Sequence, residues 1–282
     1  MKVLVTGSSG FIGRHMVNAL KTRHHAVRIL DITIGKDIRN EDAVRKAVKG
    51  VDAVMHLAAI ADIPYSFKHP AEVAEVNITG TINLLEACRR YDVKKFVFAS
   101  SSAVYAEPEE LPVNEDHPLK PLSPYGLTKL AAEQYVNLYG NIYGMSTISL
   151  RYFNVYGIGQ TKGLVGNSIN AIKNNRPMII FGDGRQTRDF VNIADAVQAN
   201  LLALHTKASS EVFNIGGGTE TSVREVIGIL QELTHANSVK YEPSREGEIR
   251  RMCADLGKAR RKLGYRPKVS LRDGLAEVVN AG

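Results

Sequence analysis

Cysteine is scarce in this 282-residue chain, and no apolar run approaches the length of a membrane span. The two cysteines, Cys88 and Cys253, have no second cysteine or metal-spaced histidine nearby, so they predict neither a disulfide framework nor a metal site. A spanning helix needs about 20 apolar residues, and the apolar start MKVLVTG is a short strand without a signal-peptide layout. These absences predict a cytoplasmic protein with no membrane partner and no metal.

The charge balance is basic, with 36 lysines and arginines against 29 acidic residues and a formal net charge of +7. Such an excess is found in nucleic-acid binders and in proteins that bind small anions. Much of it lies in residues 244–268, where interspersed acidic residues at helix-like spacing are typical of a solvated face. We therefore expect no nucleic-acid partner.

Strands and helices alternate through the first half of the chain. Buried-strand patterns such as KVLVT and KFVFASS are separated by amphipathic runs such as RHMVNALKTRHH. This alternation predicts an α/β protein with a doubly wound parallel sheet. Only ITIGKDIRN separates Asp31 from the helix predicted near residue 41, which is too short for a full crossover helix, so the sheet should be abbreviated there.

A glycine-rich turn lies between the first strand and the first helix. Gly7, Gly10 and Gly13 have the spacing G-x-x-G-x-x-G, which lets backbone N–H groups approach a pyrophosphate without obstruction by side chains. Asp31 ends the second strand, where a carboxylate can accept hydrogen bonds from a ribose diol and repel a 2′-phosphate. Together they favour NAD over NADP. The alternative is that the glycines only form a tight turn and that Asp31 only caps its strand, with no cofactor bound.

The segment SPYGLTK, residues 123–129, places a tyrosine and a lysine on one face of a predicted helix start. At this spacing the side chains of Tyr125 and Lys129 are rooted about 5–6 Å apart. An ammonium beside a phenol favours the phenolate, so Lys129 is predicted to lower the pKa of Tyr125 and make it a general base. The alternative is that Tyr125 and Lys129 form an exposed pair with no catalytic role.

Several motifs in this order resemble one family along nearly the whole chain. They are TGSSGFIG, HLAA, SSSAVY, YGLTK, RYFNVYG, FGDGRQTRDFV, NIGGG and REGE. The chain resembles the extended short-chain dehydrogenase/reductases, and within them the nucleotide-sugar 4-epimerases typified by UDP-galactose 4-epimerase. The resemblance implies a Rossmann-type NAD-binding domain over residues 1–155. A smaller nucleotide-sugar-binding region is implied over 156–282, and part of 188–216 may return to the Rossmann sheet.

The resemblance also implies roles for individual residues. The catalytic positions match Ser101, Tyr125 and Lys129, with Ser101 chosen within SSS because it stands three residues before the valine of VY. The positions that match those lining the dinucleotide are Gly7, Ser9, Gly10, Phe11, Ile12, Gly13, Asp31, Asp37, Ile38, Leu57, Ala58, Ala59, Asn77, Tyr125 and Lys129. The shortened stretch before Asp37 and Ile38 could alter the adenine pocket.

On the substrate side, the implied partner is a UDP-sugar. The matching positions are Ser101, Asn154, Phe181, Arg188, Arg245 and Glu248. Arginines and an asparagine amide suit a diphosphate, and a phenylalanine offers a flat face to a pyrimidine. Related enzymes commonly pair two helices into a homodimer, which here would use residues 71–90 and 125–140.

The implied reaction is 4-epimerisation through a transient 4-keto sugar: Tyr125 removes the 4-hydroxyl proton while hydride passes to NAD and later returns. The alternatives are a 4,6-dehydratase, decarboxylase or reductase, or a catalytically silent relative that binds NAD or RNA. The dehydratases commonly carry an acid just after the Ser/Thr position, where Ser102 and Ala103 stand here. The sugar stays open between glucose/galactose and N-acetylated or uronic forms, because the gating position aligns with the flexible Met252.

Overall fold

The computed structural model describes residues 1–244 and 249–281, and its core is a parallel sheet. The strands are β1 (Lys2–Thr6), β2 (Ala26–Leu30), β3 (Ala53–His56), β4 (Lys95–Ser101), β5 (Ser146–Tyr152), β6 (Asn154–Tyr156), β7 (Met178–Phe181), β8 (Thr187–Asn192), β9 (Glu211–Ile215), β10 (Glu220–Ser222) and β11 (Val239–Glu242). Six of them form the central sheet in the order β2-β1-β3-β4-β5-β9, with every pairing parallel.

Helices cover both faces of this sheet. They are α1 (Phe11–Thr22), α2 (Glu41–Val48), α3 (Ile63–Lys68), α4 (Pro70–Ala74), α5 (Gly80–Arg90), α6 (Pro124–Tyr143), α7 (Gly163–Lys173), α8 (Ile193–His205), α9 (Val223–Thr234), α10 (Gly257–Leu263) and α11 (Leu271–Asn280). A π-helical turn, Glu75–Thr79, joins α4 to α5. The predicted Rossmann-type α/β fold is therefore confirmed.

Alternation along each strand divides the core between the two faces. In β1, Val3 and Val5 pack in a cluster with α1, α8 and α10, whereas Leu4 packs in a second cluster with α2, α5 and α6. Successive side chains of a strand point to opposite faces, so a strand that is apolar throughout must be covered on both sides. The free thiol of Cys88 lies in the second cluster, and that of Cys253 is also buried.

The central sheet ends at β2 without a further strand, as the short segment after Asp31 predicted. After β2 the chain forms only a 3₁₀ turn, Ile32–Ile34, and then reaches α2. α2 leads to β3, on the other side of β1, so β2 has no outer neighbour among the described residues. The carboxyl ends of β1 and β2 are each followed by a short turn, which leads to α1 after β1 and contains Ile32–Ile34 after β2.

The second half of the chain both returns to the central sheet and builds small sheets of its own. α8 leads into β9, which pairs with β5. β8 pairs with β6 and β10, β7 pairs with β11, and α7, α9 and α11 bury a third apolar cluster with them. The division of the chain at residue 155 stays a prediction. Within the described ranges, no helix has the length and apolar character needed to cross a membrane.

Candidate active site

The glycine turn after β1 is packed so closely that side chains are excluded. Gly7 has φ +67°, and a Cβ built on Gly13 would lie 2.0 Å from the carbonyl oxygen of Gly7. The amide of Gly10 donates to the same oxygen at 3.1 Å, which closes the turn. α1 follows with Gly10 as its N-cap, no side-chain cap and no acidic residue in its first turn. The first amides of α1 can therefore bind an anion.

Two further predicted cofactor residues begin α1. The ring of Phe11 packs edge-on against His15, with 5.6 Å between centroids. Ile12 is half-buried against the cluster under α1. The ring contact of Phe11 thus lies within α1, and Ile12 holds the first turn of the helix against the cluster.

Asp31 at the end of β2 is ionised and saturated with hydrogen bonds. Its carboxylate accepts from the amide and hydroxyl of Ser9, the amide and hydroxyl of Thr33, and the hydroxyl of Ser8. Burial by itself raises the pKa of Asp31, but the bonds from Ser9 and Thr33 outweigh it and hold the pKa at about 2. Any diol that binds here must exchange with the hydroxyl donors already present. Ser8 and Thr33 were not among the residues predicted from the sequence.

The loop after β3 is held by the hydroxyl of Thr6, which in turn contacts a buried histidine. The amides of Leu57 and Ala58 both donate to Thr6 Oγ1 at 3.2 Å. His56 lies between Thr6 and Thr81, with 2.8 Å from a ring nitrogen to each hydroxyl oxygen. Burial, followed by the charge of Lys129, lowers the pKa of His56 to about 3, so the ring is neutral. The motif HLAA thus places backbone beside the glycine turn.

Asn77 is hydrogen-bonded to the backbone of this loop. Its side chain exchanges two hydrogen bonds with the backbone of Ile60, at 2.9 and 3.0 Å, and donates to Thr128 Oγ1 at 3.0 Å. Ala59 lies half-buried within the same loop. Asn77 therefore fixes the loop to α6, and its predicted contact with a dinucleotide stays a prediction.

Asp37 and Ile38 are engaged within the protein. Asp37 accepts from the backbone and guanidinium of Arg39, which lowers the pKa of Asp37 despite its partial burial. Ile38 is buried, and a Cβ on Gly80 would lie 2.5 Å from its Cδ1. The short segment after β2 thus turns both side chains toward protein partners.

The predicted catalytic residues meet where α6 begins against the end of β4. Ser123 caps α6 by accepting from the amide of Gly126 at 3.1 Å. Tyr125 and Lys129 are buried, and Lys129 Nζ donates to the carbonyl of Ala99 at 2.8 Å. The tyrosine side chain interacts with that of Ser101. The structure brings all three predicted residues together.

Lys129 was predicted to lower the pKa of Tyr125, and this direction is wrong for the protein without bound NAD. Burial raises the pKa of Tyr125, and the interaction with Ser101 only partly lowers it. Burial also lowers the pKa of Lys129 to about 7. Since the lysine is partly neutral near pH 7 and directs its hydrogen bond to the backbone carbonyl of Ala99, it favours the phenolate less than a fully charged ammonium beside the phenol would.

The three adjacent serines face different partners. Ser100 Oγ donates to Glu133 at 2.6 Å, Ser101 faces Tyr125, and Ser102 begins a 3₁₀ turn. A Cβ on Gly126 would lie 2.3 Å from the carbonyl oxygen of Ala103, so only glycine lets α6 approach this turn so closely. The geometry is consistent with the choice of Ser101.

The predicted substrate residues lie on the small sheets. Asn154 is exposed at the start of β6, Phe181 is half-buried at the end of β7, and Arg188 on β8 donates to the carbonyl of Thr187 at 2.7 Å. Arg245 and Glu248 lie outside the described residues. Met252, the predicted gating position, is buried in the cluster beneath β9.

Asp189, which the sequence analysis did not single out, holds the segments around Arg188. Its carboxylate accepts from the amides of Gly217, Gly218 and Ala254. Burial raises the pKa of Asp189 to about 6, against the lowering effect of these amides. The glycines of NIGGG are required here, because a Cβ on Gly216 would lie 2.5 Å from the Asp189 carboxylate.

Comparisons with known proteins agree with this arrangement. The model of the NAD dependent epimerase/dehydratase family matches residues 3–216. A Methanocaldococcus jannaschii protein, named provisionally as a UDP-glucose 4-epimerase, is 44% identical over 99% of this chain and 97% of its own. The Thermotoga maritima UDP-glucose 4-epimerase with UDP-glucose has a TM-score of 0.95 at 36% identity, covering 100% of this chain and 98% of that one. The Bacillus cereus UDP-glucuronic acid 4-epimerase, with UDP-glucuronic acid and NAD, has a TM-score of 0.92 at 35% identity and the same coverage.

Proposed function

The chain belongs to the NAD-dependent epimerase/dehydratase family, and we propose from that premise that it interconverts the C4 epimers of a UDP-sugar through a transient 4-keto sugar. The observation that carries the proposal is the meeting of Tyr125, Lys129 and Ser101 in a buried site at the carboxyl end of β4. In a doubly wound fold, ligands bind at the carboxyl ends of the strands.

The residues fit NAD. The turn at Gly7 and Gly13 leaves no room for a Cβ, the start of α1 offers uncapped amides to a pyrophosphate, and Asp31 is an ionised acceptor for a ribose diol. These residues would hold NAD, and the chemistry supplied there would be acceptance of hydride from C4 and its return to the 4-keto sugar. Because the cofactor ends each cycle oxidised, the reaction needs no second redox partner.

Tyr125 and Ser101 carry out the proton transfer. The positive charge of a bound nicotinamide ring would favour the phenolate of Tyr125 against the raising effect of burial. As the phenolate, Tyr125 accepts the proton of the 4-hydroxyl group, and Ser101 hydrogen-bonds the same oxygen as it becomes a carbonyl. The burial that raises the pKa of Tyr125 keeps water from the oxidised carbon. Tyr125 then returns the proton to the oxygen after the sugar has presented its other face.

The substrate residues support a UDP-sugar but leave the sugar open. Arg188 suits the diphosphate and Phe181 the uracil ring. Glucose/galactose, N-acetylated and uronic forms remain candidates, since the two solved relatives named above hold UDP-glucose and UDP-glucuronic acid. The positions after Ser101 are Ser102 and Ala103, and without a carboxylate there a 4,6-dehydration is disfavoured.

One experiment tests the reaction. The purified protein is incubated separately with UDP-galactose, UDP-glucose, their N-acetyl analogues and UDP-glucuronic acid, and the products are identified by NMR. We expect a mixture of C4 epimers from at least one substrate and no accumulated NADH. A 4-keto-6-deoxy product would support the dehydratase alternative, and no turnover with any of them would contradict the proposal.

Asp31→Ala should weaken NAD binding. A charge-assisted acceptor contributes about 1.5–3 kcal/mol, which is roughly a 10- to 100-fold rise in Kd. Calorimetric titration of NAD into NAD-free protein measures the Kd of the variant and of the wild type. Asp52→Ala is a suitable control, because Asp52 accepts from the amide of Lys2 at the opposite end of β1. Equal NAD affinity in both variants would contradict the assignment.

We also propose a homodimer through residues 71–90, which run from α4 to α5, and residues 125–140 of α6. Leu127, Leu138 and Ile142 of α6 are 58%, 48% and 61% exposed, and their spacing places these apolar side chains on one face of the helix. Leu138→Arg should convert a dimer to a monomer at micromolar concentration in analytical ultracentrifugation. Ile179→Arg, on an exposed position of β7, should leave the dimer intact. A monomeric unmodified protein would be inconsistent with this proposal.

We also propose where the protein acts in the cell and in which metabolism. A UDP-sugar substrate and two buried free thiols, Cys88 and Cys253, support a cytoplasmic location and a role in galactose metabolism. Cell fractionation tests the location. Unimpaired growth on galactose after deletion of the gene would contradict the metabolic role.

A further inference from the structure

Helix α6 faces strand β4 with three side chains spaced four residues apart. Tyr125 and Lys129, described above, are the first two. The third is Glu133, whose Oε2 accepts from Ser100 Oγ at 2.6 Å. Because residues at this spacing share one face of a helix, the three contacts lie along a single line between α6 and the sheet.

Glu133 is also held from β5. Arg151, which pairs in register with Ser100, donates through Nε to Oε2 at 3.0 Å and through Nη2 to Oε1 at 2.6 Å. Both side chains of this ion pair are buried. The remaining guanidinium nitrogen, Nη1, donates to the hydroxyl of Tyr105 at 2.8 Å and the carbonyl of Glu115 at 2.9 Å. The carboxylate of Glu133 therefore cannot move unless several buried hydrogen bonds break.

We propose that Glu133 is a positioning residue that fixes α6 on β4 so that Tyr125 meets Ser101. The inference rests on the proposed function, in which these two side chains share the reacting oxygen. Glu133 touches neither of them and acts through the helix. Loss of this anchor allows α6 to shift along its axis, and a displacement of about 1 Å at the reacting groups costs up to about 100-fold in rate.

Two substitutions test this positioning role. Glu133→Asp keeps the charge that neutralises Arg151 but shortens the side chain, and Ser100→Ala removes one hydrogen bond and leaves the ion pair. We expect kcat to fall about 10- to 100-fold in Glu133→Asp and less in Ser100→Ala, with KM and bound NAD unchanged.

The pH dependence of kcat provides a readout that a merely structural role would not move. The interaction with Ser101 lowers the pKa of Tyr125, so its loss should raise that pKa and shift the acid limb of the profile to higher pH. Ultraviolet titration of the Tyr125 phenol, assigned by difference from Tyr125→Phe, should show the same shift without turnover. It therefore decides the inference even if the wild-type protein turns over no UDP-sugar, a result that would contradict the proposed function alone.

Asp195→Asn is the matched control. Asp195 is a buried carboxylate on α8 that accepts from the amides of Lys268 and Val269 at 2.9 and 3.1 Å. Its loss should lower the melting temperature and leave both pH profiles unchanged. If Glu133→Asp does not fold, Ser100→Ala decides the outcome. Unshifted titration of Tyr125 in the folded variants, or an equal shift in Asp195→Asn, would overturn the inference.

Discussion

Tyr125→Phe should lower kcat for UDP-sugar epimerisation by about 10²–10⁴-fold, the usual contribution of a general acid–base group. The substitution removes only the hydroxyl that takes the proton from the 4-hydroxyl group. The ring stays in its buried position at the start of α6, where the chain is held by the Ser123 cap. NAD content and UDP-sugar affinity should therefore change little. Steady-state kinetics and calorimetric titration separate the two quantities.

Ser101→Ala provides the comparison for this experiment. It withdraws one hydrogen bond from the same oxygen and leaves the base in place, so its loss of kcat should be smaller. Tyr125→Phe should keep the wild-type melting temperature closely, since it removes no apolar packing. Ser101→Ala should melt slightly lower, because Ser101 Oγ also accepts from the amide of Ala103 at 3.2 Å. Near-native turnover of Tyr125→Phe would show that the phenol is not the base, whatever the activity of Ser101→Ala.

Gly13→Ala should abolish detectable NAD in the purified protein and lower its melting temperature. The added Cβ would lie 2.0 Å from the carbonyl oxygen of Gly7 and 2.9 Å from Ser8 Cα. These are backbone atoms, so relief requires the turn itself to move. Overpacking typically costs about 1–3 kcal/mol, and here the displaced atoms are those that approach the pyrophosphate. NAD released on denaturation and thermal melting measure the two effects.

Gly228→Ala is the matched control for that substitution. Gly228 lies within α9, and a Cβ there would meet nothing within 4 Å. Alanine is favoured over glycine in a helix by about 1 kcal/mol, so this variant should melt at the same or a higher temperature and retain NAD. If Gly13→Ala behaves like Gly228→Ala, the turn after β1 tolerates a side chain and its packing does not explain the glycine.

Local patterns in the sequence were sufficient for the fold class, whereas the candidate catalytic residues followed from the resemblance to a known family. Apolar strands alternate with amphipathic helices, and strands buried on both faces predict a sheet covered on both sides. The glycines before α1 and the four-residue spacing of Tyr125 and Lys129 are also local signals. The short segment after Asp31 correctly indicated an abbreviated sheet, because too few residues remain to add a strand outside β2.

Tertiary structure alone decided the electrostatics of the site. Asp31 is saturated by Ser8, Ser9 and Thr33, and only folding brings the serines beside it. The spacing of Tyr125 and Lys129 predicted that the lysine lowers the pKa of the tyrosine, whereas burial raises that pKa. A pKa depends on desolvation and on neighbours in space, and neither quantity can be read from spacing along a chain.

The same reason explains why the sequence did not reveal Glu133. It stands four residues after Lys129, which placed it on the correct face of α6, but its partners Ser100 and Arg151 come from two other strands. The sequence thus determined which side chains share a face of each element. The packing of α6 across β4 and β5 determined which of them meet, because hydrogen bonds between distant segments form only when the sheet sets their separation.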